Sequence, residues 1–144
     1  MNTEFPSPKD ITRAWHVLDA QSESLGRVAS QAAMLLMGKH KPIFSPFLDT
    51  GDHVIVVNAA KVRLTGRKED QKVYRRHSGY PGGLVSVSAR KLRAVRPANL
   101  VYEAVAGMLP KTKLGKHMIR KLRVYPGDKH PHQAQKPVAL SVAK

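Results

Sequence analysis

The chain has 144 residues, no cysteine, and 25 Lys/Arg against 10 Asp/Glu, a formal net charge of +15. That length suits one domain in which about 68–70% of the unfolded chain's surface is buried on folding, so a core forms without staples. The absence of cysteine excludes disulfides, thiolate catalysis and cysteine-ligated zinc, and it fits a reducing compartment.

Residues 1–12, opening MNTEFPSP, carry no usable pattern and are expected to form a frayed N-terminal tail. AWHVLDA, from Ala14 to Ala20, alternates as a short strand does. Ser22 or Ser24 then caps a helix in which Leu25, Val28, Ala29, Ala32, Leu35 and Leu36 recur at helical spacing, and Gly38 ends it. After the turn-rich KHKPIFSPFLDTGD comes HVIVVNAAKVRL, apolar on consecutive positions from Val54 to Val57, as in a strand buried on both faces. Strand, helix, loop and strand in this order predict a right-handed parallel unit covered by helices.

GRKEDQKVYRRHSGYPGG reads as an extended excursion or hairpin, and LVSVS alternates as a half-exposed strand. Ser88 caps a short helix to Val95, and Pro97 opens another whose stripe is Leu100, Val101, Ala104, Val105 and Met108, stopped by Gly107 and Pro110. In KLGKHMIRKL the spacing puts Leu114, Met118 and Leu122 on one face of a further helix, and RVY before Pro126 and Gly127 is a last strand. One α/β domain is expected over residues 13–135, a single compact body with a central mainly parallel sheet flanked by helices, basic loop excursions and extended tails. Residues 136–144 are expected to be a second frayed tail.

The charge is segregated. Residues 1–58 hold five Lys/Arg and six Asp/Glu, and residues 59–144 hold twenty and four. A solvated face ordinarily mixes signs, so this excess points to a polyanionic partner, nucleic acid first. The opening segment holds no signal-peptide-like apolar run and the chain has none near the roughly 20 residues that span a bilayer, so a soluble cytoplasmic protein without a membrane partner is expected.

Three stretches invite a catalytic or metal reading. Asp49-Thr50-Gly51 is the triplet of aspartic proteases, but Pro46 before it, Asp52 after it and the cationic chain suit an ordinary turn better. His130 and His132, with His117 or Asp128, offer imidazoles to a metal, but the flanking lysines oppose a divalent cation, so no metal is expected. GYPGG lacks the spacing of a phosphate loop, and neither a cofactor nor a small-molecule substrate is expected. VYRRHSGY instead interleaves Tyr74, His77 and Tyr80 with Arg75 and Arg76, flat rings for bases beside forks for phosphates.

DTGDHVIVVNAAKV, GMLPK followed by LGK, RKLRVYPGDKHPH, and the earlier LGRVAS and GKHKP resemble, in order and spacing, the bacterial form of the thirteenth protein of the large ribosomal subunit, over about Arg13 to Pro137. The resemblance implies a small α/β domain with no catalytic activity that binds large-subunit (23S-type) ribosomal RNA, joins the subunit early in assembly and touches neighbouring large-subunit ribosomal proteins. By motif position it draws the RNA-facing residues from Lys39, His40 and Lys41, from Tyr74, Arg75, Arg76 and His77, and from Lys111, Lys113 and Lys116. It adds Arg120, Lys121 and Arg123, and Lys129, His130 and His132.

Overall fold

A computed structural model of the chain describes residues 5–141. Four parallel strands form the central sheet in the order β5-β2-β1-β6, with β1 at Trp15–Asp19, β2 at His53–Val57, β5 at Leu122–Val124 and β6 at Val138–Leu140. β1 and β2 lie in the middle, in register from Trp15 opposite His53 to Asp19 opposite Val57. The consecutive apolar run of β2 is accounted for by this position, since Val54, Ile55 and Val56 are fully buried.

Helix α1, Leu25–Met37, crosses from β1 to β2 and buries Leu25, Val28, Ala29, Ala32, Leu35 and Leu36. Its last turn closes on Gly38, left-handed at φ 79°, whose N–H donates to the Leu35 and Met34 carbonyls. A side chain there would strike Thr50, so α1 ends pressed against the loop that leads into β2. Leu18, Val28, Leu36 and Leu100 are wholly inside, and each such side chain contributes about 1.5–3 kcal/mol relative to exposure.

A single helical turn, α2 at Lys68–Gln71, precedes the strands in the polar stretch read as an extended excursion or hairpin. It leads into a hairpin of β3, Val73–His77, and β4, Leu84–Ser88, paired antiparallel from Val73 opposite Ser88 to His77 opposite Leu84. Gly79 and Gly82 take positive φ in its turn. Ser88 caps α3, Ala89–Val95, by accepting from the Lys91 N–H, and Pro97 opens α4, Pro97–Met108, both as read from the sequence. Arg93 pairs with Glu69 and Arg90 with Asp70, tying α2 to α3 at the base of the hairpin.

Two expectations need correction. The helix after Pro110, α5, covers only Lys113–Ile119, capped by Thr112, and Leu122 sits in β5 opposite Val54. Leu122 keeps the helical spacing set by Leu114 and Met118, but backbone pairing with the β2 edge wins over local periodicity. The C-terminal segment does not simply fray either, because Val138–Leu140 pairs in parallel with His16–Leu18 as the edge strand β6. Near the other end, Pro8–Asp10 forms a short turn under a reciprocal Ser7–Asp10 cap. Residues 1–4 and 142–144 of the expected tails lie outside the described residues.

Candidate nucleic-acid interface

α5 divides its residues cleanly. Leu114 and Ile119 are half-buried, Gly115 and Met118 are buried, and Lys113, Lys116, His117 and Arg120 are exposed at the i, i+3, i+4, i+7 spacing of one helix face. Gly115 is obligatory because a Cβ there would strike the Pro110 carbonyl, so the helix lies directly on the chain that precedes it. Among the described residues, Lys113, Lys116 and Arg120 have no acidic partner within salt-bridge distance. Lys111 is also exposed, with its ammonium donating to the Ala106 carbonyl at 2.8 Å. Arg123 on the edge strand β5 and Lys129 beyond it are exposed as well.

The hairpin presents a second basic surface. Arg75, Arg76 and His77 are exposed, whereas Tyr74 is half-buried with the Lys72 ammonium 5.2 Å from its ring centre.

A third cluster unites rings from distant parts of the chain. Trp15 and His53, paired at the starts of β1 and β2, stack at 4.3 Å, and His132 lies 5.2 Å from Trp15. The His132 Nε2 meets the Tyr125 hydroxyl at 2.7 Å, and its backbone N–H donates to the His130 Nδ1 at 3.2 Å. Burial first, then the Lys121 and Arg13 charges, hold the His53 pKa below its ordinary value, so this ring is neutral and suited to stacking. Sequence reasoning found His130 and His132 but missed Trp15, His53 and Tyr125. The single tryptophan, followed by a histidine at a strand start, was the available signal.

Three of the residues drawn into the RNA-facing set are engaged by carboxylates of the protein itself. The Lys121 side chain is buried, and its ammonium is engaged by Asp49 and the Leu36 carbonyl. Burial depresses the Lys121 pKa, which the Asp49 carboxylate opposes. Lys41 is turned inward onto Asp52 at 2.5 Å and onto the carbonyls of Thr12 and Thr50. His40 donates through Nε2 to the same carboxylate at 2.8 Å while remaining exposed, and Lys39 beside it is exposed as well. Lys121→Ala is therefore expected to lower folding stability by about 3 kcal/mol, by stranding Asp49, while leaving the salt dependence of RNA binding unchanged. Urea unfolding beside an RNA titration of the same variant checks both.

These contacts also dispose of the protease and metal readings. Thr50 is fully buried, Asp49 is committed to Lys121, and a Cβ at Gly51 would collide with the Leu36 carbonyl, so the triplet is a packed turn with no room for substrate. Among the described residues, three metal-ligand side chains converge at His16, His40 and Asp52, whereas the His132 Nε2 is taken by the Tyr125 hydroxyl and the His130 Nδ1 by the His132 N–H. There the Lys41 ammonium already supplies the cation that the carboxylate requires.

The family model for Ribosomal protein L13 matches residues 13–131. The chain is 61% identical to large ribosomal subunit protein uL13 of Solibacter usitatus over 142 residues, 99% of each chain. It is 58% identical to the uL13 protein of Thermobifida fusca, covering 100% of this chain and 97% of that one, and 55% identical to that of Dictyoglomus thermophilum, covering 99% and 100%. The basic α5 face, the hairpin and the packed DTGD turn thus belong to a chain that matches one family along nearly its whole length, and this protein is a member of the ribosomal protein L13 family.

Proposed function

We propose that the exposed cationic half of the protein binds large-subunit, 23S-type ribosomal RNA and that this binding supports early assembly of the subunit beside neighbouring ribosomal proteins. Membership of its family makes the chain a structural ribosomal protein and not an enzyme. Its place would be on ribosomes in the cytoplasm. The observation that carries the reading is the exposed cationic face of α5, without an acidic partner among the described residues, within a region of twenty Lys/Arg against four Asp/Glu. Like charges at helical spacing repel in the isolated protein, and apposed phosphates relieve that repulsion.

Phosphate contacts fall to Lys39, Arg75, Arg76, Lys111, Lys113, Lys116, Arg120, Arg123 and Lys129. His77, His130 and His132, with Trp15 beside the last, offer rings to exposed nucleotides. Affinity comes chiefly from counterion release, and selectivity from the folded shape of the RNA. Titration of the protein with large-subunit RNA fragments at several salt concentrations tests this. The expected log–log slope is about −0.7 to −0.9 per phosphate contacted. An affinity indifferent to salt would overturn the reading.

A further inference from the structure

Between the hairpin and the helices α3 and α4 runs a groove of about 310 Å³, at the lower end of the roughly 300–1,000 Å³ usual for ligand pockets. Tyr74, Val85, Val87, Leu92 and Val95 give it an apolar lining. Strand alternation explains why the hairpin residues share a side. Tyr74 lies opposite Val87 and Arg76 opposite Val85, so these two cross-strand pairs face the same way.

The lining is unusual in two respects. Val85 and Val95 are 42% and 67% exposed, although both border a concave surface that could have been closed by the chain's own side chains. The Tyr74 hydroxyl is buried without a hydrogen-bond partner, a state that costs about 1–3 kcal/mol for a group of this kind. Burial first and Glu103 second push its pKa up, so it stays a proton donor.

Charge selects the occupant. Arg76, Lys91 and Arg96 border the groove with no acidic partner among the described residues, and Glu103 is the one carboxylate in the lining. An apolar peptide would leave those cations unanswered. An RNA duplex is too broad to enter a groove this small, whereas a single base turned out of its stack brings a flat apolar ring, hydrogen-bonding edges and a flanking phosphate together.

We propose that this groove seats one unstacked nucleotide of the bound RNA, with its base between the hairpin and α3 and its phosphate on Arg76, Lys91 or Arg96. The proposal rests on the RNA-binding reading above. In it, the Tyr74 ring forms part of the apolar wall against the base, and Glu103 and Asn99 stand at the same groove as polar contacts.

Val95→Trp tests it, because an exposed site admits a large ring without disturbing the core, and the substitution leaves the charge unchanged. Lys91→Ala is the second variant. Base-specific chemical probing of a large-subunit RNA transcript, with and without the full-length protein, is the measurement. The wild-type chain is expected to protect one unpaired base that both variants leave reactive, with the rest of the footprint retained and affinity lower by about tenfold. A footprint identical for wild type and Val95→Trp would overturn the proposal. So would a photoreactive side chain installed at Val95 that, in reconstituted large subunits, captures a protein segment; capture of a single nucleotide supports it. If the wild-type chain leaves no footprint anywhere on the transcript, the RNA-binding reading falls and this proposal falls with it.

Discussion

Asp52→Ala is expected to destabilise the protein by about 3–5 kcal/mol in urea unfolding at neutral pH, the range found when one partner of a buried ion pair is removed. The Asp52 side chain is 1% exposed. One oxygen accepts from the Lys41 ammonium at 2.5 Å and from the Ala14 N–H at 3.0 Å, and the other meets the His16 and His40 Nε2 atoms at 3.0 and 2.8 Å. A single carboxylate therefore fastens the entry to β1, the turn after α1 and the start of β2. Without it the Lys41 ammonium retains only the carbonyls of Thr12 and Thr50, and the Ala14 N–H loses its acceptor. Asp52→Asn, which keeps the shape and one oxygen, should lose less. Adding Lys41→Met to Asp52→Ala should restore part of the loss, because the stranded charge goes too.

The same group predicts how acid unfolds the protein. Burial pushes the Asp52 pKa up, but the hydrogen bonds from Lys41, the Ala14 backbone and His16 outweigh it and lower it from 3.8 to about 2. A carboxylate held below its unfolded value contributes stability that is fully present above about pH 4 and is lost as pH falls towards 2. The contribution is about 2 kcal/mol, and Asp52→Asn should lack it. The difference in stability between wild type and Asp52→Asn should therefore shrink between pH 4 and pH 2. A difference that stays constant across that range would contradict the assignment.

What could be read from the residues alone follows a physical division. Patterns carried by burial were legible: the apolar stripe of α1, the doubly buried β2, the Ser88 cap and the Pro97 start all depend on neighbours a few positions away. Elements held by backbone pairing alone were not. Val138 in β6 is 56% exposed, so the strand carries no amphipathic signature, and the start of β5 at Leu122, one residue before the RVY read as a strand, is set by pairing with Val54. The candidate site divides in the same manner. The outward face of α5 is a matter of spacing, but whether a lysine is free depends on partners far along the chain. Asp49 lies 72 positions from Lys121, and the Leu36 carbonyl 85. A basic motif announces charge and leaves its direction to the tertiary fold.

That distinction sets up the second large effect. Lys113, Lys116 and Arg120 replaced together by Ala should reduce the log–log salt slope of RNA binding by roughly 2 to 3, since each phosphate contact contributes about 0.7 to 0.9. Their side chains share one exposed face, whereas the residues that anchor α5, Gly115 and Met118, are untouched. Folding stability should hold or rise slightly, because like charges spaced three and four apart destabilise a helix by about 0.2–0.5 kcal/mol per pair. Lys121→Ala supplies the opposite pattern, with stability lost and slope kept, so the two variants dissociate binding from folding within nine residues of sequence. Should the triple variant bind with the wild-type slope, phosphate neutralisation would have to be assigned to the hairpin arginines and to Lys39, Lys111, Arg123 and Lys129 instead of α5. Should its stability collapse, the exposed cations would be making contacts within the protein, and the repulsion that motivates an anionic partner would not exist.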